Sequence, residues 1–329
     1  MKGVLVRQFG AYDSPAVEEM PTPGCGAGEV LVDVKAAGVN FPDILVIGGK
    51  YQTLPELPFV PGKECAGVVK AVGAGVNTVK PGERVMMQIE YGAFAQQVAA
   101  AQNNCHVIPE ALGFPEAAAL GLAYMTAHFA LVERAQLKAG EVVLVTGAAG
   151  GVGLAAVQIA KALGATVLAA VSSPDKAAAA KASGADHIID VSVADLKNGL
   201  RDQVYAAVGK RGADVVLDNV GGDVFDACLR AVAWCARVLV IGFTSGRIPE
   251  IKAGIILVKN ISVMGMAISD YRDRQPEKFR AVRQQLIDWC VAGKLKPRVM
   301  ASFPLARYAE ALALVKDRKV IGKVVLTMD

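Results

Sequence analysis

Charge of either sign is barely in excess in this chain, histidine is scarce, and no two cysteines form a C-x-x-C pair. Lys and Arg number 35 against 31 Asp and Glu, a formal charge of +4 over 329 residues. That is too little for a protein whose main partner is nucleic acid or a membrane surface. Tracts mixing basic and aromatic residues, which would stack single-stranded RNA, are missing too. The six cysteines, at 25, 65, 105, 228, 235 and 290, follow neither metal-ligand nor redox-motif spacing. A chain of this length buries a core without disulfides, so reduced thiols in the cytoplasm are expected. His106, His128 and His187 have no acid at triad or metal spacing. Lys2 and Arg7 interrupt the segment where a secretory signal would need a long apolar run.

What the chain does have is apolar residues, 53% against 20% charged. At roughly 150 residues per domain, it should form two globular domains. Residues 142–160 carry no charge and are long enough to cross a bilayer. Glycines at 147, 150, 151 and 153 divide that stretch into a β-rich half and a helical half, which reads as a buried strand, turn and helix.

Two textures divide the sequence. The first 120 residues carry short strands at 2–6, 29–34 and 66–72, and another begins at Arg84; glycine and proline turns bound them. From about Ala123 the pattern alternates, with strands near 142–146, 166–171, 187–189, 214–218, 237–241 and 261–264 and helical stretches between them. Such alternation implies an α/β domain with a doubly wound parallel sheet, here 123–265. An amphipathic helix at 276–291, a helix near 305–314 and a strand at 323–326 are too few for a third domain. They return to the β-rich module, which is therefore discontinuous, 1–122 together with 266–329.

The strand Val142-Val143-Leu144-Val145-Thr146 runs into Gly147-Ala148-Ala149-Gly150-Gly151-Val152-Gly153 and then a helix. This is the context of a dinucleotide fingerprint, with its second and third glycines at Gly150 and Gly153 and Ala148 in the first place. The bare backbone of Gly150 to Gly153 can approach a pyrophosphate, whose charge is met by free N–H groups at the helix start. An NAD-specific site would end the next strand with an acid for the ribose 2′-hydroxyl. Here that strand ends Val171-Ser172-Ser173-Pro174-Asp175-Lys176. The hydroxyls of Ser172 and Ser173 with Lys176 suit a 2′-phosphate, so NADPH is expected. Ser173-Pro174 is equally an ordinary helix cap and first turn.

Several motifs recur in one known family: Ala37-Gly38-Val39-Asn40-Phe41-Pro42-Asp43, Leu57-Pro58-Phe59-Val60-Pro61-Gly62-Lys63-Glu64, Lys80-Pro81-Gly82-Glu83-Arg84-Val85, the glycine loop, Ser183-Gly184-Ala185-Asp186, Asp218-Asn219-Val220-Gly221-Gly222 and Gly322-Lys323-Val324-Val325-Leu326. Over nearly its whole length the chain resembles the medium-chain dehydrogenase/reductase superfamily, and within it the zinc-free quinone oxidoreductase, or ζ-crystallin, branch. The resemblance implies a GroES-like catalytic domain beside a Rossmann NADPH-binding domain. Alcohol dehydrogenases of the superfamily hold catalytic zinc with Cys, His and Cys. The matching positions here are Asn40, Lys63 and Leu122, and neither an ammonium nor a leucine can ligate zinc. The lobe of four cysteines for structural zinc is missing as well.

Without a Lewis acid, hydride from a reduced nicotinamide can still reach an acceptor that is already electrophilic, a quinone or an activated C=C. The resemblance places Asn40 beside the nicotinamide ribose and the substrate, Thr126 under the nicotinamide, and Asn219, Gly242, Phe243 and Thr244 along the cofactor. It also suggests cofactor contacts from Arg318 and Lys323, although a solvated basic helix end explains this region equally well. Tyr51 matches the acid tyrosine of mitochondrial-type enoyl-thioester reductases, which share the run Leu54-Pro55-Glu56-Leu57-Pro58. There it would donate a proton; as an alternative it is an aromatic wall. The expected function is thus NADPH-dependent quinone reduction in a homodimer, paired through the apolar strand near 261–264. Enoyl-thioester or alkenal reduction is the alternative, and a non-catalytic NADPH-binding or RNA-binding protein of ζ-crystallin type is a third.

Overall fold

A computed structural model describes residues 1–328 of the chain. Two compact units result: Met1–Leu122 together with the residues from Arg272 onward, and Ala123–Tyr271. The first unit begins with β1 (Lys2–Leu5), β2 (Ala16–Glu19), β3 (Glu29–Val39), β4 (Glu64–Val72), β5 (Arg84–Gln88), β6 (Gln97–Ala101) and β7 (Cys105–Val107). The second contains β8 (Val142–Thr146), β9 (Thr166–Val171), β10 (His187–Asp190), β11 (Ala213–Asp218), β12 (Val232–Val240) and β13 (Ser262–Gly265). Then β14 (Val299–Pro304) and β15 (Lys323–Thr327) return to the first sheet, which runs β14-β15-β3-β4-β5-β7 with β6 also on β3.

The central strand of that sheet, β3, extends five residues past Val34, where its β-branched run ends. Lys35-Ala36-Ala37-Gly38-Val39 has weak strand propensity, and pairing with β4 on one side and β15 on the other extends the strand. Val324 lies opposite Val39 in this antiparallel register, which brings Lys323 to Asn40 across 283 residues of sequence. Residues such as Val32, Ile47, Met87, Phe94 and Leu326 fill the core beneath.

In the second unit all six strands are parallel, in the order β10-β9-β8-β11-β12-β13. Every residue of β8 is buried, which is why it reads as an unbroken apolar run rather than an alternating one. The chain reverses its direction of winding between β8 and β11, and ligands of such sheets bind at the carboxyl ends of the strands there. β12 starts at Val232, five residues before the expected strand. The register with β11 shifts, Trp234 and Cys235 are exposed, and Cys235 is left-handed (φ +61°), so the ladder is interrupted where the apolar pattern breaks. The unit continues past Gly265 to Tyr271, whose ring lies 4.7 Å from that of Phe129. Residues 142–160 form a strand, a turn and most of a helix, and no described helix is long and apolar enough to cross a membrane.

Candidate active site

At the end of β8 the chain turns through Gly147, whose φ of +58° is a conformation that glycine adopts without strain. The tight-turn position is thus Gly147, one residue before the expected Ala148, which is fully buried. Gly150 caps the helix Gly151–Ala162 with no side chain of its own. A Cβ at Gly153 would collide with the carbonyl oxygen of Gly147 and the backbone of Ala148. Only a bare backbone lets helix and strand approach this closely, and the first-turn N–H groups of Gly151, Val152 and Gly153 have no intrahelical acceptor. The loop therefore fits a pyrophosphate.

After β9, Ser173 is the N-cap of the helix Pro174–Ala182, with extended backbone and no side-chain hydrogen bond into the helix. The Lys176 ammonium lies 3.4 Å from the Ser172 hydroxyl. Two hydroxyls and a cation thus stand together at the end of the second strand.

At the ends of β11 and β12 the remaining expected contacts converge. Asn219 donates its side-chain amide to the Thr146 backbone carbonyl at 2.8 Å, and the Asn219 backbone carbonyl accepts from the Thr244 hydroxyl at 3.0 Å. Gly242, Phe243 and Thr244 follow β12 after Ile241. The hub is Asp218, which sequence reasoning gave no role. Its carboxylate accepts from the Thr146 hydroxyl at 2.6 Å and from the Gly221 N–H at 2.8 Å. Burial raises its pKa above the usual carboxylate range, and those hydrogen bonds oppose the rise. Thr126 is buried on the helix Phe114–His128.

In the first unit, a polar cluster with almost no solvent exposure surrounds Asn40. Lys323 donates to Asn40 Oδ1 at 2.6 Å, to Glu64 Oε1 at 2.7 Å and to the Val39 carbonyl at 2.9 Å. Asn40 Nδ2 donates to the same Glu64 oxygen at 2.9 Å and to the Gly38 carbonyl at 3.2 Å. The Leu122 N–H donates to Glu64 Oε2 at 2.5 Å, and Gly121 is bare because a Cβ there would lie 2.7 Å from that oxygen. Both amide hydrogens of Asn40 are engaged, so the side chain offers a ligand only the second lone pair of Oδ1. It can accept from a ribose hydroxyl but cannot polarise a carbonyl.

This corrects the reading of Lys323 as a cofactor contact. The residue is 5% exposed, opens β15 and has spent all three of its hydrogens inside the protein. What it does in the structure is fix the side chain of Asn40. Arg318, by contrast, ends the helix Tyr308–Lys316 in the left-handed conformation and is exposed.

Asp43 accepts the Asn40 N–H at 2.8 Å, while its Oδ1 is buried with no partner among the described residues. Burial pushes its pKa up to about 7 against the lowering pull of the Lys63 ammonium. The Asn40-x-x-Asp43 spacing is that of a capping box and was the one signal that could have revealed Asp43. Lys63 is also buried, 2.7 Å from Glu90 and 4.5 Å from the ring centroid of Tyr51. Arg272 holds the other oxygen of Glu90 at 2.9 Å. Burial, and then the carboxylates of Glu90 and Asp43, raise the pKa of Tyr51, which keeps its phenol protonated and able to donate.

A zinc ion does not fit here. Asn40 is locked by Lys323 and Glu64, Lys63 is a paired ammonium, and Leu122 presents a hydrocarbon. No three His, Cys, Asp or Glu among the described residues are grouped to hold a metal.

Two family models match: the alcohol dehydrogenase GroES-like domain over residues 26–150 and the zinc-binding dehydrogenase over 151–288. The quinone oxidoreductase-like protein 2 homolog of Nematostella vectensis is 39% identical, over 94% of this chain and 84% of its own length. A quinone oxidoreductase structure from Pseudomonas syringae superposes with a TM-score of 0.92 at 33% identity, covering 99% of both chains. That of Escherichia coli quinone oxidoreductase complexed with NADPH gives 0.91 at 28%, covering 99% of this chain and all of its own. With a GroES-like domain, a Rossmann-type parallel sheet and quinone oxidoreductase-like relatives, the chain belongs to the medium-chain dehydrogenase/reductase family of pyridine-nucleotide oxidoreductases.

Proposed function

We propose that this protein is an NADPH-dependent quinone oxidoreductase that works without zinc. One observation carries the reading: the three positions that would ligate catalytic zinc hold Asn40, Lys63 and Leu122, and the two polar side chains are committed to protein partners. An alcohol substrate needs a Lewis acid or an equivalent base to lose its proton. A quinone needs only hydride and protons, and a bound reduced nicotinamide supplies the hydride. The glycine loop would hold the pyrophosphate, Ser172, Ser173 and Lys176 the 2′-phosphate, and Asn40 a ribose hydroxyl. Asn219, Gly242, Phe243 and Thr244 would line the cofactor from the ends of β11 and β12, with Thr126 at the nicotinamide.

A turnover screen with NADPH against quinones, enals and enoyl thioesters tests this assignment, and quinones should be the fastest acceptors. Alkene reduction is the second reading. It is favoured by the Tyr51 hydroxyl, for which the described residues provide no hydrogen-bond partner, and it gains if enals or enoyl thioesters lead the screen.

A homodimer in the cytoplasm completes the proposal. Among the described residues β13 is paired only with β12, and Leu257, Val258 and Trp234 are 78%, 79% and 76% exposed. An open edge beside apolar side chains is an aggregation hazard unless covered, and a second copy would cover it. Light scattering that gives a monomer at micromolar concentration would refute the dimer.

A further inference from the structure

Lys63 is too enclosed to touch a substrate, yet its surroundings give it a definite task. Two of its N–H groups are taken by Glu90, through the carboxylate at 2.7 Å and the backbone carbonyl at 3.2 Å. Its ammonium also stands 4.5 Å from the centroid of the Tyr51 ring. Glu90 is held from its other oxygen by Arg272, which is 8% exposed and bonded in turn to Asp273. Arg272, Glu90, Lys63 and Tyr51 thus form a continuous series of contacts that ends on an aromatic ring.

The ring packs against the first unit's core, and this contact adds a direction to that packing. Tyr51 lies between the helix Phe41–Ile47 and β4, where the chain forms neither helix nor strand. No backbone ladder fixes its direction. Lys63, by contrast, immediately precedes β4, whose register is set on both sides by β3 and β5. An ammonium over an aromatic face is attracted by the ring's quadrupole, and more strongly when desolvated.

We propose that Lys63 is a positioning residue that fixes the Tyr51 phenol, so that the free hydroxyl faces the electron acceptor. The proposal rests on the reading of this unit as the acceptor side of an NADPH oxidoreductase. Lys63→Met removes the cation and keeps most of the chain length. Arg272 still pairs with Glu90 in that variant, so the Glu90 carboxylate is not stranded.

The test uses the full chain labelled with 3-fluorotyrosine. Of the seven tyrosine signals, the one lost in Tyr51→Phe is assigned to Tyr51. In Lys63→Met that fluorine resonance should shift and broaden while the others stay, and Lys63→Arg, which keeps a cation over the ring, should restore it. A Tyr51 resonance unmoved in Lys63→Met overturns the proposal. Turnover gives an independent arm with whichever acceptor is reduced fastest. Lys63→Met should cost no more than Tyr51→Phe, and combining the two should add less than about twofold, because both act through one phenol. A full further loss in the double variant overturns the proposal as well. Failure of the wild-type protein to reduce any acceptor would refute the functional reading instead, and the fluorine signal would still decide the role of Lys63.

Discussion

Lys323 and Lys176 are both lysines that the sequence suggests as cofactor contacts, yet they live in opposite dielectric worlds. Lys323 is buried in the first unit with Glu64, Asn40 and a backbone carbonyl as partners. Lys176 stands partly exposed on the first turn of a helix in the second unit, with only a 3.4 Å contact to the Ser172 hydroxyl. Deleting the first charge leaves a carboxylate stranded out of water. Deleting the second leaves only solvent where a ligand's phosphate would sit. The same chemical change should therefore damage folding in one place and affinity in the other.

The largest expected effect is at the buried pair. Lys323→Met should destabilise the protein by about 3–5 kcal/mol, because Glu64 is left buried without its ammonium partner. Adding Glu64→Gln should recover much of that loss in urea unfolding. A single variant as stable as the wild type would erase the contrast with Lys176.

Asp43 gives the same cluster a pH signature. Burial raises its folded-state pKa to about 7 from an ordinary carboxylate value. The folded protein thus holds this proton more tightly than the unfolded chain does. Its contribution to stability is complete at low pH and is lost as pH rises from about 4 through 7. Asp43→Asn should flatten that part of the stability profile measured by urea unfolding between those limits; an unchanged slope would place the titration elsewhere.

Lys176→Ala should leave the unfolding midpoint in place and weaken NADPH binding by about 10- to 100-fold, the size of a charge-assisted contact of roughly 1.5–3 kcal/mol. NADH binding should barely change. Equal losses for the two cofactors in a fluorescence titration would make Lys176 structural.

How far each region can be read from sequence follows from the same contrast. The glycine loop acts through consecutive backbone atoms, so its function lies in seven adjacent residues, although the tight turn fell on Gly147 rather than Ala148. The β-α alternation made the parallel sheet legible for the same local reason. The Asn40 cluster is assembled from residues 40, 64 and 323, and the Tyr51 support from 51, 63, 90 and 272. No local pattern joins such positions. Only the antiparallel register of β3 with β15 makes Lys323 a neighbour of Asn40, and β3 itself extends past Val34 because of that pairing rather than its own propensity.

The smallest effect is expected at Tyr51. With a quinone, whose reduced oxygens can collect protons from water, Tyr51→Phe should change turnover by less than about threefold. With an alkene, where one carbon must receive the proton, the loss would reach about 10²–10⁴-fold. A loss of that size with unsaturated thioesters as the best acceptors would favour the alkene reading.

The most direct test follows nicotinamide oxidation by a quinone, with NADPH and with NADH, before and after dialysis of the protein against a strong chelator. Turnover should be faster with NADPH, unchanged by the chelator, and accompanied by no stoichiometric zinc in the purified protein. Loss of turnover on chelation together with one tightly held zinc per subunit, or a preference for NADH, would contradict the account.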